Sequence, residues 1–230
     1  MKRSIRILRI LAIIMMGMTA AMNILGGAGT FCAAFSNNVG YRMAFKALMD
    51  YRWLYQILVV TTILVGIAGI WALIQLMRGK PGVYRFTLLV LIIGVILGGT
   101  HFFASLTLRG KATPANVKFF INVVTLLVFL AFQLPGIKGK VDFSKASDQS
   151  EKRSAAGMAS ILAGITTLTV FAWAGPSHTF FGENWVYAFE IPLLVVGTAL
   201  ILGGVYTVYK EALLMIKQSS SQIFNVSKNK

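Results

Sequence analysis

The chain has 230 residues, of which 57% are hydrophobic and 13% charged, with 22 Lys and Arg against 7 Asp and Glu and a net charge of +15. That composition lies outside the range of soluble globular domains and excludes a large soluble domain beside the apolar part. The basic excess does not read as a nucleic-acid footprint, because the cations are dispersed in short connections rather than gathered on one face.

Six long, mostly uncharged stretches fill most of the sequence, and apolar windows of roughly 20 residues read as membrane-spanning helices. Segment 1 covers about 10–35 and follows four cations, Lys2, Arg3, Arg6 and Arg9. This start also fits a secretory signal with a small-residue site near Thr19-Ala20-Ala21. The run continues to Phe35, too long for a signal core, so a retained helix is expected. Its Cys32 is the single cysteine of the chain; it excludes an intrachain disulfide and is expected as a small core residue.

Segments 2 and 3 cover about 53–77 and 86–108. The stretch 41–52 before segment 2 places Arg42, Lys46 and Asp50 on one stripe and Tyr41, Ala44, Phe45 and Leu48 on another. That pattern predicts a short amphipathic helix lying on the outer membrane surface. Segment 4, about 117–134, stops at Pro135-Gly136, and segment 5, about 155–174, at Gly175-Pro176. Segment 6 covers about 185–209, followed by a short helical extension and a polar tail at 218–230.

Orientation follows from the loop cations. With the N-terminus inside, Lys2, Arg3, Arg6, Arg9, Arg78, Lys80, Arg85, Lys138, Lys140, Lys145, Lys152, Arg153, Lys210, Lys217, Lys228 and Lys230 fall on the inner side, 16 in all. Arg42, Lys46, Arg52, Arg109, Lys111 and Lys118 fall outside. This bias places both termini in the cytoplasm. The expected fold is an all-α integral membrane protein: a single transmembrane domain over 1–230, with about six transmembrane helices and an outer interfacial helix at 41–52. A basic cytoplasmic linker is expected at 136–154, and the location is multi-pass, in a plasma or inner membrane. The linker divides the spans three and three, which invites an inverted repeat. Ile24-Leu-Gly-Gly27, Ile96-Leu-Gly-Gly99 and Ile201-Leu-Gly-Gly204 repeat in segments 1, 3 and 6, but segment 4 lacks a copy.

Small residues let membrane helices approach closely, so Gly26, Gly27, Gly94, Gly98, Gly99, Gly203 and Gly204 are expected at helix–helix contacts. Glu190 is the one acidic residue well inside an apolar run, two residues before Pro192. An ionisable residue there is a default candidate for an ion or proton site. His101 is expected at a similar depth, and His178 and Glu183 in the adjoining 175–185 connection could line the same outward-facing site. The sequence carries no P-loop, G-x-S-x-G, H-E-x-x-H or metal-ligand spacing, so no catalytic residue, metal or cofactor is expected. Three functions remain open. They are a non-catalytic integral or accessory subunit, a small proton- or cation-coupled transporter or channel using Glu190, and a quinone- or haem-associated redox subunit. Expected partners are the lipid bilayer with its anionic lipids and a membrane-protein partner or second copy, with no nucleic acid.

Overall fold

Apolar runs fold as helices because a helix satisfies its own backbone hydrogen bonds wherever water is absent. The computed structural model describes residues 3–37, 39–175, 179–180 and 183–228. Its helices are α1 (Arg3–Phe35), α2 (Val39–Ala44), α3 (Arg52–Arg78), α4 (Val83–Arg109), α5 (Ala115–Ala131), α6 (Gln149–Leu168), α7 (Val170–Trp173) and α8 (Glu190–Lys228). A two-residue strand pair, β1 (Thr179–Phe180) and β2 (Glu183–Asn184), lies between α7 and α8. Local chemistry fixes the ends. Gly79 and Gly110 close α3 and α4 at φ 66° and 65°, a conformation glycine adopts without penalty. The Asp148 side chain accepts from Glu151 N at 2.7 Å and starts α6.

Four stretches are long and apolar enough to cross a membrane: Ile5–Phe31, Lys46–Arg78, Val83–Arg109 and Glu190–Leu214. The other two expected spans are weaker. Helix α5 has 17 residues, about 25 Å against a hydrocarbon core of about 30 Å. Helix α6 opens on Gln149-Ser-Glu-Lys-Arg153 and is only partly apolar. The chain also stays helical beyond the expected end of segment 6, through Lys228.

The helices divide four and two rather than three and three. Helices α1, α3, α4 and α5 pack in a closed ring, each touching its two neighbours; α6 and α8 form a hairpin that leans on α1 through α6. The repeated tetrapeptides serve different contacts. A methyl group on Gly27 would stand 2.6 Å from Ile63, and one on Gly98 would stand 3.2 Å from the Phe119 backbone. On Gly204 it would stand 2.6 Å from the Gly157 carbonyl, whereas Gly203 faces open space. Gly203 therefore takes no part in the close contact its neighbour makes.

The end of the bundle that carries the N-terminus has an apolar, aromatic core of Met16, Leu76, Leu91, Phe129, Phe132 and Phe143. Phe143 belongs to the basic 136–154 stretch, which is not a free linker. Ser147 N donates to Met77 O at 2.8 Å, and the Arg9 guanidinium donates to Lys145 O. A side chain at Gly79 would collide with the Lys145 carbonyl. Buried Arg9 faces buried Glu151 at 3.9 Å, Arg6 pairs with Asp148 at 3.3 Å, and Arg153 with Glu211 at 3.7 Å. These pairs tie α1, α6 and α8 at that end.

At the opposite end the 41–52 stretch is not one helix. It is α2, then a 3-10 turn over Lys46–Tyr51, then the start of α3. Arg42, Lys46 and Asp50 are exposed, Leu48 is buried and Phe45 is half-buried. Arg52 closes α1 from outside: Nε donates to Ala34 O at 2.8 Å and Nη2 to Ser36 O at 3.2 Å.

Candidate functional site

A membrane-type bundle gains little from burying apolar side chains, so its polar interior contacts carry specificity and, where ionisable, function. In the four-helix ring one continuous polar seam stands out. Thr19 and Thr125 share a hydrogen bond at 2.7 Å. The amides of Asn23 and Asn122 pair reciprocally at 3.2 and 3.0 Å. One turn towards the far end, Lys118 Nζ lies 3.0 Å from Thr62 Oγ1 and 2.6 Å from His101 Nδ1. The His101 ring meets the Tyr55 ring edge-on at 5.3 Å, and the Tyr55 hydroxyl lies 2.9 Å from Ser105 Oγ. By helical rise, Thr125 to Lys118 alone covers about 10 Å along the bundle.

Every member of this seam is essentially out of solvent: Lys118 is 1% exposed, His101 2% and Asn122 0%. Among the described residues no carboxylate ion-pairs with Lys118. The groups around the pair include Asn23 and Gly26 of α1, Tyr55 and Thr62 of α3, Ser105 and the Arg109 cation of α4, and Asn122 of α5. At 2.6 Å the two nitrogens cannot both point protons at each other. One nitrogen offers a lone pair, and a single proton lies between them. The site is thus two nitrogen bases within hydrogen-bond distance of each other inside a closed bundle.

Glycines make room for it. A methyl group on Gly26 would stand 3.0 Å from Lys118 Cδ, and one on Gly94 would collide with the Asn122 amide. Gly98 and Gly99 lie against Phe119, the residue next to Lys118. Five of the seven expected packing glycines therefore border α5 or α3 within the ring, and Gly26 and Gly94 seat the polar seam itself.

The expected outer site is placed differently. Glu190 begins α8 and is exposed, and neither a hydrogen bond nor an ion pair joins it to His101. Helix α8 packs on α6, whereas α4 packs on α3 and α5. Glu183 lies in β2, paired with Phe180; His178 and the Cys32 side chain lie outside what the structure describes. Among the described residues no three His, Cys, Asp or Glu side chains are grouped to hold a metal ion.

Lys118 was counted with the far-side loop cations on sequence alone. A signal for it exists. Lys118, Asn122 and Thr125 fall at spacings of four and three; so do Thr19, Asn23 and Gly26, and Gly94, Gly98 and His101. One face of each of three helices is polar or small, and those faces meet. Comparison of the chain with protein-family models, curated proteins and solved structures finds no match.

Proposed function

We propose that the chain is a multi-pass membrane protein with six crossings and cytoplasmic termini that moves protons through the Lys118–His101 pair, as a small proton-coupled transporter. The observation that carries this reading is the 2.6 Å contact between Nζ and Nδ1 in a closed interior with no counter-ion beside it. An ionisable group buried at such depth is costly unless it works. When a proton passes from Nζ to Nδ1, the positive charge moves one nitrogen along and the total is unchanged. Tyr55 and Ser105 continue the polar path towards the far end. The opposite route is shut by Met16, Leu91, Phe129 and Phe143, so passage requires this apolar plug to open. Helix α1 supplies Asn23 and Gly26 to the seam, which supports its being retained rather than cleaved.

The test is proton uptake by the purified protein in liposomes under an imposed potential, read with an internal pH dye. Lys118→Met and His101→Gln should each abolish the flux, while Glu190→Gln should leave it intact. Wild-type flux in both seam variants would overturn the reading, and loss in Glu190→Gln alone would return the site to the start of α8.

An accessory-subunit role is favoured by a separate observation. Only 11% of the apolar window of α8 is buried, and Ile191, Leu194, Leu202, Tyr206 and Tyr209 stand exposed along it. A partner helix would cover them; a stoichiometric protein retained in mild detergent would support that role. The redox-subunit reading has no separate observation in its support.

A further inference from the structure

The turn between α3 and α4, Gly79-Lys80-Pro81-Gly82, sits over a lateral groove of about 400 Å³ lined by Trp71, Gln75, Lys80, Pro81, Val83 and Phe86. Its composition is layered. Lys80 lines it, and exposed Arg78 and Arg85 flank the turn in the chain. Trp71 lies seven residues before Arg78, about 10 Å further down the helix. It is 55% exposed, and Phe86 across the groove is 36% exposed. Below them the surface continues apolar through Ile67, Leu89 and Ile93. Among the described residues none of the three cations makes an ion pair. Asp142, which lines an adjoining cavity together with Lys80, is engaged by Ser144 and Lys145.

Cations at the turn, aromatic rings beneath and an aliphatic wall below repeat, in order, the phosphate, glycerol and acyl levels of a phospholipid. We propose that this groove binds an anionic phospholipid, with Lys80 on the phosphate, Arg78 and Arg85 balancing the headgroup charge, and Trp71 and Phe86 holding the glycerol and first acyl carbons. Trp71, Lys80, Pro81 and Phe86 of the lining are exposed and none belongs to the seam, so a lipid seated there leaves the seam undisturbed. This assignment rests on the membrane reading and not on proton movement.

The experiment uses the whole protein in detergent with equal amounts of phosphatidylglycerol and phosphatidylcholine, counting retained lipids by native mass spectrometry. Wild type should retain phosphatidylglycerol selectively. Lys80→Gln should weaken that retention about five-fold, the loss expected for one basic group at an anionic surface. Lys138→Gln, equally basic but outside the groove, should not. Equal loss in the two variants, or equal retention of both lipids by wild type, would overturn the site. A second measurement needs no charge variant. Phosphatidylglycerol with brominated acyl chains should quench tryptophan emission more than brominated phosphatidylcholine, and Trp71→Phe should remove the excess. No excess in wild type, or an excess that survives Trp71→Phe, also overturns it. Extraction of the protein from cells without detergent would instead sink the membrane reading itself.

Discussion

The four-helix ring and the α6–α8 hairpin differ in the use of their polar groups, although Thr30, Thr61, Thr87 and Thr100 of the ring also bond back within their own helices. In the ring, Thr19, Asn23, Thr62, Ser105, Lys118, Asn122 and Thr125 bond from helix to helix. In the hairpin, Thr166, Thr167, Thr169 and Thr207 each donate to a carbonyl one turn back in their own helix, at 2.8 Å. Beyond the Arg153–Glu211 pair at one end, α6 and α8 meet through glycines that bring their backbones close. A methyl group on Gly164 would stand 2.6 Å from Gly197 O, and one on Gly157 would stand 3.0 Å from Gly204 O. The difference teaches that hydroxyls in a membrane-type helix do not by themselves mark an interface; partner choice does. The buried side-chain hydrogen bonds between helices lie in the ring.

The largest test of this contrast is Gly204→Leu, which should force the hairpin apart and cost about 3 kcal/mol, read as thermal unfolding in detergent. Gly203→Leu, one residue away and facing open space, should leave the unfolding curve where it is. A comparable loss in both would show that glycine content, not contact, holds α6 to α8. Next in size is the Asn23–Asn122 pair. A double-mutant cycle to alanine should return a coupling of about 1 kcal/mol; a coupling near zero would mean the ring does not depend on its amide bridge.

Smaller still is the turn at 142–145. Hydrogen bonds from the Ser144 hydroxyl and then its amide, with Lys145 and Arg9 nearby, hold the Asp142 carboxyl below the usual carboxylate range. The turn is therefore fully held above that range and loosens as pH falls through the lowered value. Amide exchange at Ser144, corrected for its intrinsic pH dependence, should speed up only in acid; loosening near neutral pH would contradict the sign. The smallest expected effect is Thr167→Val, within about 0.5 kcal/mol, since its hydroxyl serves only its own helix. A large loss there would erase the distinction between hairpin and ring.

Much of the helix inventory was legible because uninterrupted apolar runs leave few alternatives. The basic start and the stop of segment 4 before Pro135-Gly136 read directly from local residues. Which helices adjoin was not legible, because partner choice depends on faces rather than on averages. Lys118 shows the cost of averaging. It follows Pro114 closely and begins a hydropathic run, so it looked like a loop cation, yet its butyl chain passes Gly26 and ends on His101. Glu190 shows the converse. Its charge interrupts an apolar stretch, but the helix begins at that residue and leaves it exposed.

The amide bridge between Asn23 and Asn122 spans 99 positions of the chain. On a ribosome adding roughly 5–20 residues per second, Asn23 is made some 5–20 s before its partner exists. During that wait α1 carries Thr19 and Asn23 with no α5 to answer them, and α3 and α4 arrive in between. Helix α5, short and bearing a lysine, is the last side of the ring to be made and the least able to enter lipid alone. Synthesis order thus makes the three earlier helices the cradle into which the charged one is delivered.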